Sequence, residues 1–202
     1  MKVMKNDFIS QQAARDAAGP KPAKKLYSMA ALMRGKDFTG KFDTSAASYD
    51  FTFAPTIARL NDGKLELTGN LNVVSGRGTK REAKGVQATL LSTQGGLGGI
   101  PAAIRTRRRN NDKSLPLTEA TDVAGFVGVL YFRLSPINAR MLGLTIDLSS
   151  VQLNARLFAD NDVERQLQVA YADVVAAAYG DKPDTREAMK SIATLNQNFS
   201  RG

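Results

Sequence analysis

The sequence predicts a mainly β protein of the α+β class, an antiparallel β sandwich or partly open barrel of about six strands. Apolar and polar residues alternate over much of 36–158, and an Asp-Gly turn signal separates two of the alternating runs. After residue 158 the apolar spacing becomes that of helices. We therefore divide the chain into a basic N-terminal arm with a short helix (1–35), an antiparallel β domain (36–158) and a C-terminal helical pair packed on it (159–202).

The N-terminal region is predicted to be an extended basic arm followed by a short helix. Two prolines one residue apart favour extended backbone near the end of residues 1–25. Residues 26–34 are predicted to be helical and to end at Gly35, because four apolar residues would then share one face: Leu26, Met29, Ala30 and Met33.

The most distinct pattern in the β domain is a hairpin. Residues 49–60 and 64–73 alternate between apolar and polar side chains, and the sequence Asn61-Asp62-Gly63 between them suits the positive φ angles of a tight turn. Gly69 in the second run predicts a β-bulge or a close backbone approach. Further strands are predicted at 86–93, 126–134 and 151–157.

The remaining segments of the β domain are predicted to be irregular. Residues 76–85 indicate a polar basic loop, and residues 94–121 a long basic loop rich in Gly and Arg, far beyond a usual connection. Ser135-Pro136 is typical of the start of a short helical turn, which Gly143 would close.

Two helices are predicted at the C-terminus. Asp160, Asp162 and Glu164 place negative charge at the start of the first, which Gly180 ends. Asp184 with Glu187 has the spacing of a capping box and marks the start of the second.

The composition excludes most familiar catalytic chemistry. The chain has no Cys, His or Trp, which removes disulfides, thiol nucleophiles, histidine bases and metal sites built on nitrogen or sulfur ligands. Carboxylate, Lys, Tyr and Ser/Thr chemistry remains, yet no Ser has a Lys three residues later. We expect a non-catalytic protein with no cofactor and no metal.

Three partial motifs give no specific site. Residues 35–42 approach the phosphate-binding loop pattern but end in Phe42 where Ser or Thr is required. The Gly cluster at 95–99 lacks the spacing of a dinucleotide-binding fingerprint. The acids from Asp160 to Glu164 alternate as calcium ligands do, but the loop lacks the Gly and Glu of an EF-hand, so charge at a helix start explains them better.

Positive charge is concentrated in two segments. Of the net +9, residues 1–42 contribute nine basic against three acidic residues, and residues 76–113 nine against two. Such segments attract acidic protein surfaces, anionic membrane surfaces or nucleic acid phosphates. The predicted partner-binding residues are Lys2, Lys5, Lys21, Lys24, Lys25, Arg77, Lys80, Arg81, Arg105, Arg107, Arg108 and Arg109.

These observations favour an accessory or scaffold subunit of a larger assembly that docks through its basic arm and basic loop. Cytoplasmic residence is expected, either free or on the cytoplasmic face of a membrane complex. The alternative is a nucleic-acid-binding β domain that uses the same cations on phosphates. No aromatic residue lies beside the Arg cluster (Arg105, Arg107, Arg108 and Arg109) to stack on bases, however. A third interpretation, a sandwich or barrel that holds a small apolar ligand, depends on architecture alone.

Overall fold

The computed structural model describes residues 26–94, 128–180 and 182–201. In this part of the chain seven strands form a closed barrel in sequence order, and two helices follow. Neighbouring strands are antiparallel, except that β1 and β7 close the barrel in parallel. The elements are β1 Tyr27–Arg34, β2 Asp37–Asp43, β3 Ser48–Asn61, β4 Lys64–Ser75, β5 Lys80–Gln94, β6 Gly128–Leu134, β7 Val151–Leu157, α1 Asp162–Ala178 and α2 Thr185–Ser200.

The predicted class, mainly β with a C-terminal helical pair, is confirmed, and the sheet closes fully. The predicted helix at residues 26–34 is wrong, because this segment is strand β1, hydrogen-bonded to both β2 and β7. Met29 and Met33 lie four residues apart, a spacing that places side chains on one face of a helix and equally on one face of a strand. The buried Ala31 between them follows the strand period. The barrel therefore begins at Tyr27 rather than at residue 36.

The β3–β4 hairpin is confirmed. Asp62 and Gly63 have φ angles of 48° and 73°, as the predicted turn requires. The prediction for Gly69 is also confirmed. The register of β4 against β5 shifts between Gly69 and Leu71, and a Cβ on Gly69 would lie 2.4 Å from the Ala54 carbonyl oxygen.

The predicted loop at residues 76–85 is wrong in its second half. Strand β5 begins at Lys80, and its first residues pair with the end of β4, from Val74↔Lys80 to Leu71↔Ala83. This part of β5 is polar, so its sequence is typical of a loop. Its backbone is nevertheless paired with β4 as a strand. The predicted long loop at 94–121 lies outside the described residues except for Gln94, the last residue of β5, and the arm at 1–25 lies outside them entirely.

Large apolar side chains fill the barrel. Buried residues alternate with more exposed ones along the strands, except in the first half of β5, where no side chain is buried. The rings of Phe38, Phe53 and Phe132 are fully buried. A barrel of about eight strands has an interior just wide enough for side chains, and seven strands enclose less. The interior of the described barrel is therefore a packed core.

Helix α1 covers one end of the barrel, here called the helix end. The Tyr171 ring packs against Phe38 at 5.9 Å between ring centroids. Near the end of α1, the Tyr179 hydroxyl donates to the Leu90 carbonyl and accepts from the Leu65 N–H, both at 3.0 Å. These two contacts tie the helix to β4 and β5.

Helix α2 packs beside β3. The C-terminal half of β3 extends beyond its pairing with β2, which ends at Phe38↔Phe53. Asn196 of α2 accepts from the Ala58 N–H at 2.7 Å and donates to the Ala58 carbonyl at 3.0 Å. One amide side chain thus satisfies two backbone groups of β3, where β2 no longer pairs with it.

Both helix starts are capped. Asn161 accepts from the Glu164 N–H, and the predicted Asp184 accepts from the Glu187 N–H. No helix in the described part of the chain combines the length and the apolar character needed to cross a membrane.

Candidate functional site

The end of the barrel opposite α1, here called the mouth, carries a small open cavity. The turns β2–β3 and β4–β5 lie at this end, together with the connection from β6 to β7. That connection buries Leu142 and Leu148 and contains one 3-10 turn, Ala139–Leu142. The cavity encloses about 190 Å³ and is lined by Tyr49, Val73, Ser75, Thr79, Arg81, Leu142 and Gly143.

Of the described residues that line the cavity, Arg81 alone is charged. It pairs with Val73, whose side chain is buried, and paired residues of an antiparallel ladder project from the same face of the sheet. Arg81 therefore lies on the inner side of β5, whereas its neighbours Lys80 and Glu82 alternate to the outside. Among the described residues, no carboxylate forms an ion pair with Arg81.

The Arg81 side chain rests against Gly143. A Cβ at Gly143 would lie 2.9 Å from Arg81 Nε, so a larger residue would displace the guanidinium. Gly143 also has a φ of 67°, closes the 3-10 turn and donates to the Arg140 carbonyl. The prediction that Gly143 ends this turn is confirmed. The turn is capped by the Asn138 side chain, however, and not by Ser135.

Three hydroxyl groups line the cavity near Arg81. Ser75 Oγ accepts from the Thr79 N–H at 3.3 Å, which leaves the Ser75 O–H as a donor. The Tyr49 ring stacks on Phe42 at 5.3 Å between centroids, which fixes the ring at the mouth. Apolar contacts from Val73 and Leu142 complete the lining. The cavity thus combines one cation, hydroxyl donors and an apolar wall.

Further positive charge surrounds the cavity. Arg77 lies in the β4–β5 turn and Lys80 at the start of β5, and both are exposed. Two acidic side chains on neighbouring strands are paired with other cations: Asp50 with Lys41 at 3.2 Å and Glu82 with Lys84 at 3.8 Å. Two further acids lie at this end of the barrel, Asp43 at the end of β2 and Asp147 in the β6–β7 connection, where its carboxylate accepts from Ser149. We define the basic mouth as Arg77, Lys80 and Arg81. None of these three cations has an ion-pair partner within the ranges that the structure describes.

The predicted partner-binding residues divide into those inside and outside the described residues. The structure brings Arg77, Lys80 and Arg81 together at the mouth. The other nine lie outside the described residues: Lys2, Lys5, Lys21, Lys24, Lys25, Arg105, Arg107, Arg108 and Arg109.

The described residues that flank the two basic segments lie at opposite ends of the barrel. Tyr27, which follows the arm, starts β1 at the mouth, and its N–H donates to the Ser150 carbonyl. Gln94 and Gly128, on either side of the Arg cluster, lie at the helix end, where β5 ends and β6 begins. The arm therefore joins the barrel on the same side as the basic mouth.

A second polar cluster lies at the helix end, between α1 and the β1–β2 turn. The buried Glu164 carboxylate accepts from the Gly35 N–H at 2.6 Å and the Asp160 N–H at 2.8 Å. Lys36 Nζ donates to the Phe199 carbonyl at 3.0 Å. Burial raises the pKa of Asp37, an effect that the nearby Lys36 charge partly offsets. These contacts fasten both helices to the β1–β2 turn.

The buried hydroxyl of Tyr171 belongs to the same cluster. Within the described residues, neither this oxygen nor Asp37 Oδ1 has a hydrogen-bond partner. Burial raises the pKa of Tyr171 far above its usual value, and the negative charge of Asp37 adds to the shift. The Tyr171 hydroxyl therefore stays protonated at neutral pH.

Two of the three partial motifs fold as ordinary structure, and the third, the Gly cluster at 95–99, lies outside the described residues. Residues 35–42 form the β1–β2 turn and most of β2, and no helix follows Gly35 to hold a phosphate. Asp160 pairs with Arg34, and Asp162 with Arg165. Among the described residues, no three acidic side chains gather as a metal site would require.

Sequence reasoning found the cations of the mouth but missed the cavity. Tyr49, Ser75 and Leu142 lie far apart in sequence and meet only through strand register and the β6–β7 connection. The sequence did offer one signal. Arg81 and Ala83 are two residues apart, so in a strand they share a face, and pairing with the strand that contains Val73 turns that face inward. Comparisons of the chain with protein-family models, curated protein sequences and solved structures find no match.

Proposed function

We propose that this protein is a non-catalytic accessory or scaffold subunit of a larger assembly, which docks an acidic protein surface on its basic mouth. It would act in the cytoplasm, either free or on the cytoplasmic face of a membrane complex. The observation that carries the proposal is the basic mouth itself: three cations without described carboxylate partners, held on one rim of a rigid barrel. Unpaired cations on a fixed surface favour association with a surface of opposite charge.

The packed interior supports the same proposal. Fully buried side chains, among them Phe53, Leu67 and Phe132, occupy the space in which a barrel would hold an apolar ligand. This packing argues against the apolar-ligand alternative. It also makes the barrel a rigid platform, because close-packed interiors resist deformation.

The arm adds a second contact to the proposal. Two of its lysines, Lys24 and Lys25, directly precede Leu26 and β1, which begins at the mouth. A partner that covers the basic mouth would therefore be within reach of the arm as well. Two linked contacts increase avidity without any change in either one. The Arg cluster, whose flanking residues lie at the helix end, would engage a separate surface of the same assembly.

The test is affinity capture from native lysate, with and without nuclease, using three forms of the full chain. One is unchanged, and one carries Arg77→Gln, Lys80→Gln and Arg81→Gln. The matched control loses the same charge from exposed positions on the barrel wall: Arg59→Gln, Arg133→Gln and Arg156→Gln. Bound proteins are quantified by mass spectrometry.

We expect an acidic protein in stoichiometric amounts that resists nuclease, is lost with the mouth variant and is retained with the wall variant. Equal loss with both variants would mean that net charge and not the mouth directs binding. Recovery of nucleic acid alone, lost on nuclease treatment, would replace the proposal with the nucleic-acid-binding alternative.

A further inference from the structure

The geometry points to a more specific role for the mouth cavity: it receives a single carboxylate side chain, Asp or Glu, of the docked protein, with Arg81 as its ionic partner. This inference rests on the proposed function, because the carboxylate belongs to the acidic partner. It adds the chemistry of the contact and assigns unequal roles to the three cations of the basic mouth.

The position of Arg81 is the first argument. All three cations of the basic mouth are exposed. Arg81 differs from the other two in its direction, because it lies on the inner side of β5 with its side chain against Gly143 and opposite the buried Val73. A guanidinium held against a wall loses less freedom when it binds, and its planar fork matches a carboxylate with two parallel hydrogen bonds.

The remaining lining is the second argument. The hydroxyls of Tyr49, Ser75 and Thr79 line the same cavity and can donate to carboxylate oxygens. The apolar wall from Val73 and Leu142 suits the methylene groups that carry a carboxylate in Asp and Glu. The volume of about 190 Å³ is below that of typical drug-sized pockets, and it suits one side chain rather than a larger ligand.

Charge balance favours a carboxylate over a phosphate. Among the described residues that line the cavity Arg81 is the only charged one, so the lining itself offers a single positive charge, and Arg77 and Lys80 lie outside it. A carboxylate carries one negative charge, whereas a phosphate ester carries about −1.5 to −2 at neutral pH. A phosphate in this cavity would keep an excess of negative charge against the apolar wall, which is unfavourable.

The direct test is a titration of the full chain, labelled with nitrogen-15, with N-acetylglutamate N-methylamide as a mimic of a glutamate residue. The Arg81 Nε–H and Gly143 N–H signals report on the cavity. Two other probes are used at matched ionic strength: the corresponding glutamine compound, which has no charge, and inorganic phosphate. The variants are Arg81→Gln, Arg81→Lys and, as the matched control of equal charge, Arg59→Gln on the exposed barrel wall.

We expect saturable shifts of both signals with the glutamate mimic and a Kd in the millimolar range, about 1–10 mM. Arg81→Gln should weaken binding by at least about tenfold, and Arg81→Lys should weaken it because the fork is lost. Arg59→Gln should change the Kd by about twofold or less, because Arg59 lies on β3 toward the helix end, away from the mouth. An unchanged melting temperature and circular dichroism spectrum will confirm that the variants remain folded.

The inference is overturned if the glutamate mimic does not bind, if the glutamine compound binds equally well, or if Arg59→Gln weakens binding as much as Arg81→Gln does. Tighter binding of phosphate than of the glutamate mimic would also overturn it. Its failure is separable from that of the proposed function. If the lysate partner is captured equally by wild type and Arg81→Gln but lost with the triple mouth variant, docking stands and the carboxylate site does not.

Discussion

Tyr171 in α1 and Tyr179, which follows α1 as its C-terminal cap, should respond in opposite directions to the same substitution. Tyr171 is fully buried, and its hydroxyl has no hydrogen-bond partner in the described part of the chain. Tyr179 lies two turns later, and its hydroxyl bridges the Leu65 N–H and the Leu90 carbonyl, each at 3.0 Å. Replacement by Phe removes one oxygen atom at each position and leaves the ring in place.

The expected magnitudes follow from these contacts. A buried polar group without a partner costs about 1–3 kcal/mol, so Tyr171→Phe should raise the free energy of unfolding by about 1 kcal/mol after a small loss of packing. Tyr179→Phe leaves the Leu65 N–H and the Leu90 carbonyl without their partner, and it should lower the free energy of unfolding by about 2 kcal/mol. For a chain of this length, each kcal/mol shifts the melting temperature by about 2–4 °C.

The assay is urea unfolding of both variants, followed by circular dichroism, with melting temperatures from calorimetry. The two variants serve as controls for each other, since they lie in one helix and at its C-terminal cap and lose the same atom. A loss of stability for Tyr171→Phe as large as that for Tyr179→Phe would refute the reasoning, because it would mean that the Tyr171 hydroxyl has a hydrogen-bond partner in solution.

Three further predictions concern Asp37, Asn196 and Gly143. Burial raises the pKa of Asp37, so the stability that it contributes is full below its unfolded pKa of 3.8 and is lost as pH rises through the folded pKa. The urea midpoint of Asp37→Asn minus that of wild type should therefore increase from pH 4 to pH 7. A decrease in this difference would contradict the burial of Asp37. Asn196→Ala should cost about 2 kcal/mol, measured by urea unfolding, because the Ala58 N–H and carbonyl both lose their partner; a cost near zero would show that solvent replaces the side chain. Gly143→Ala should cost about 1–2 kcal/mol for its positive φ and should also shift the Arg81 Nε–H signal, and an unmoved signal would exclude the contact with Arg81.

Local features of the fold were predictable from the sequence. The Asp62-Gly63 turn and the Asp184 cap each depend on a few neighbouring residues, and both are confirmed. Strand β1 was not predicted, because Met29 and Met33 are four residues apart and fit two periods equally well. The choice between helix and strand is decided only by pairing with the adjacent strand β2 and with β7, which lies more than 100 residues later in the sequence.

The candidate site was predictable only in part. The charge of Arg77, Lys80 and Arg81 is evident from composition, but the inward orientation of Arg81 depends on its register against Val73. The cavity also needs Leu142 and Gly143, which the β6–β7 connection brings back to the mouth. Such contacts between distant segments arise from tertiary packing and leave no local pattern in the sequence.

Photo-crosslinking at the mouth tests the central claim most directly. Met141 lies next to the cavity and is 62% exposed, and Leu91 on β5, near the helix end, is 42% exposed. Benzoylphenylalanine replaces one of these residues at a time in the full chain, and native lysate is irradiated after nuclease treatment. We predict one acidic protein crosslinked from position 141 and not from position 91. No crosslinked protein from position 141, or the same protein from position 91 alone, would contradict docking at the basic mouth.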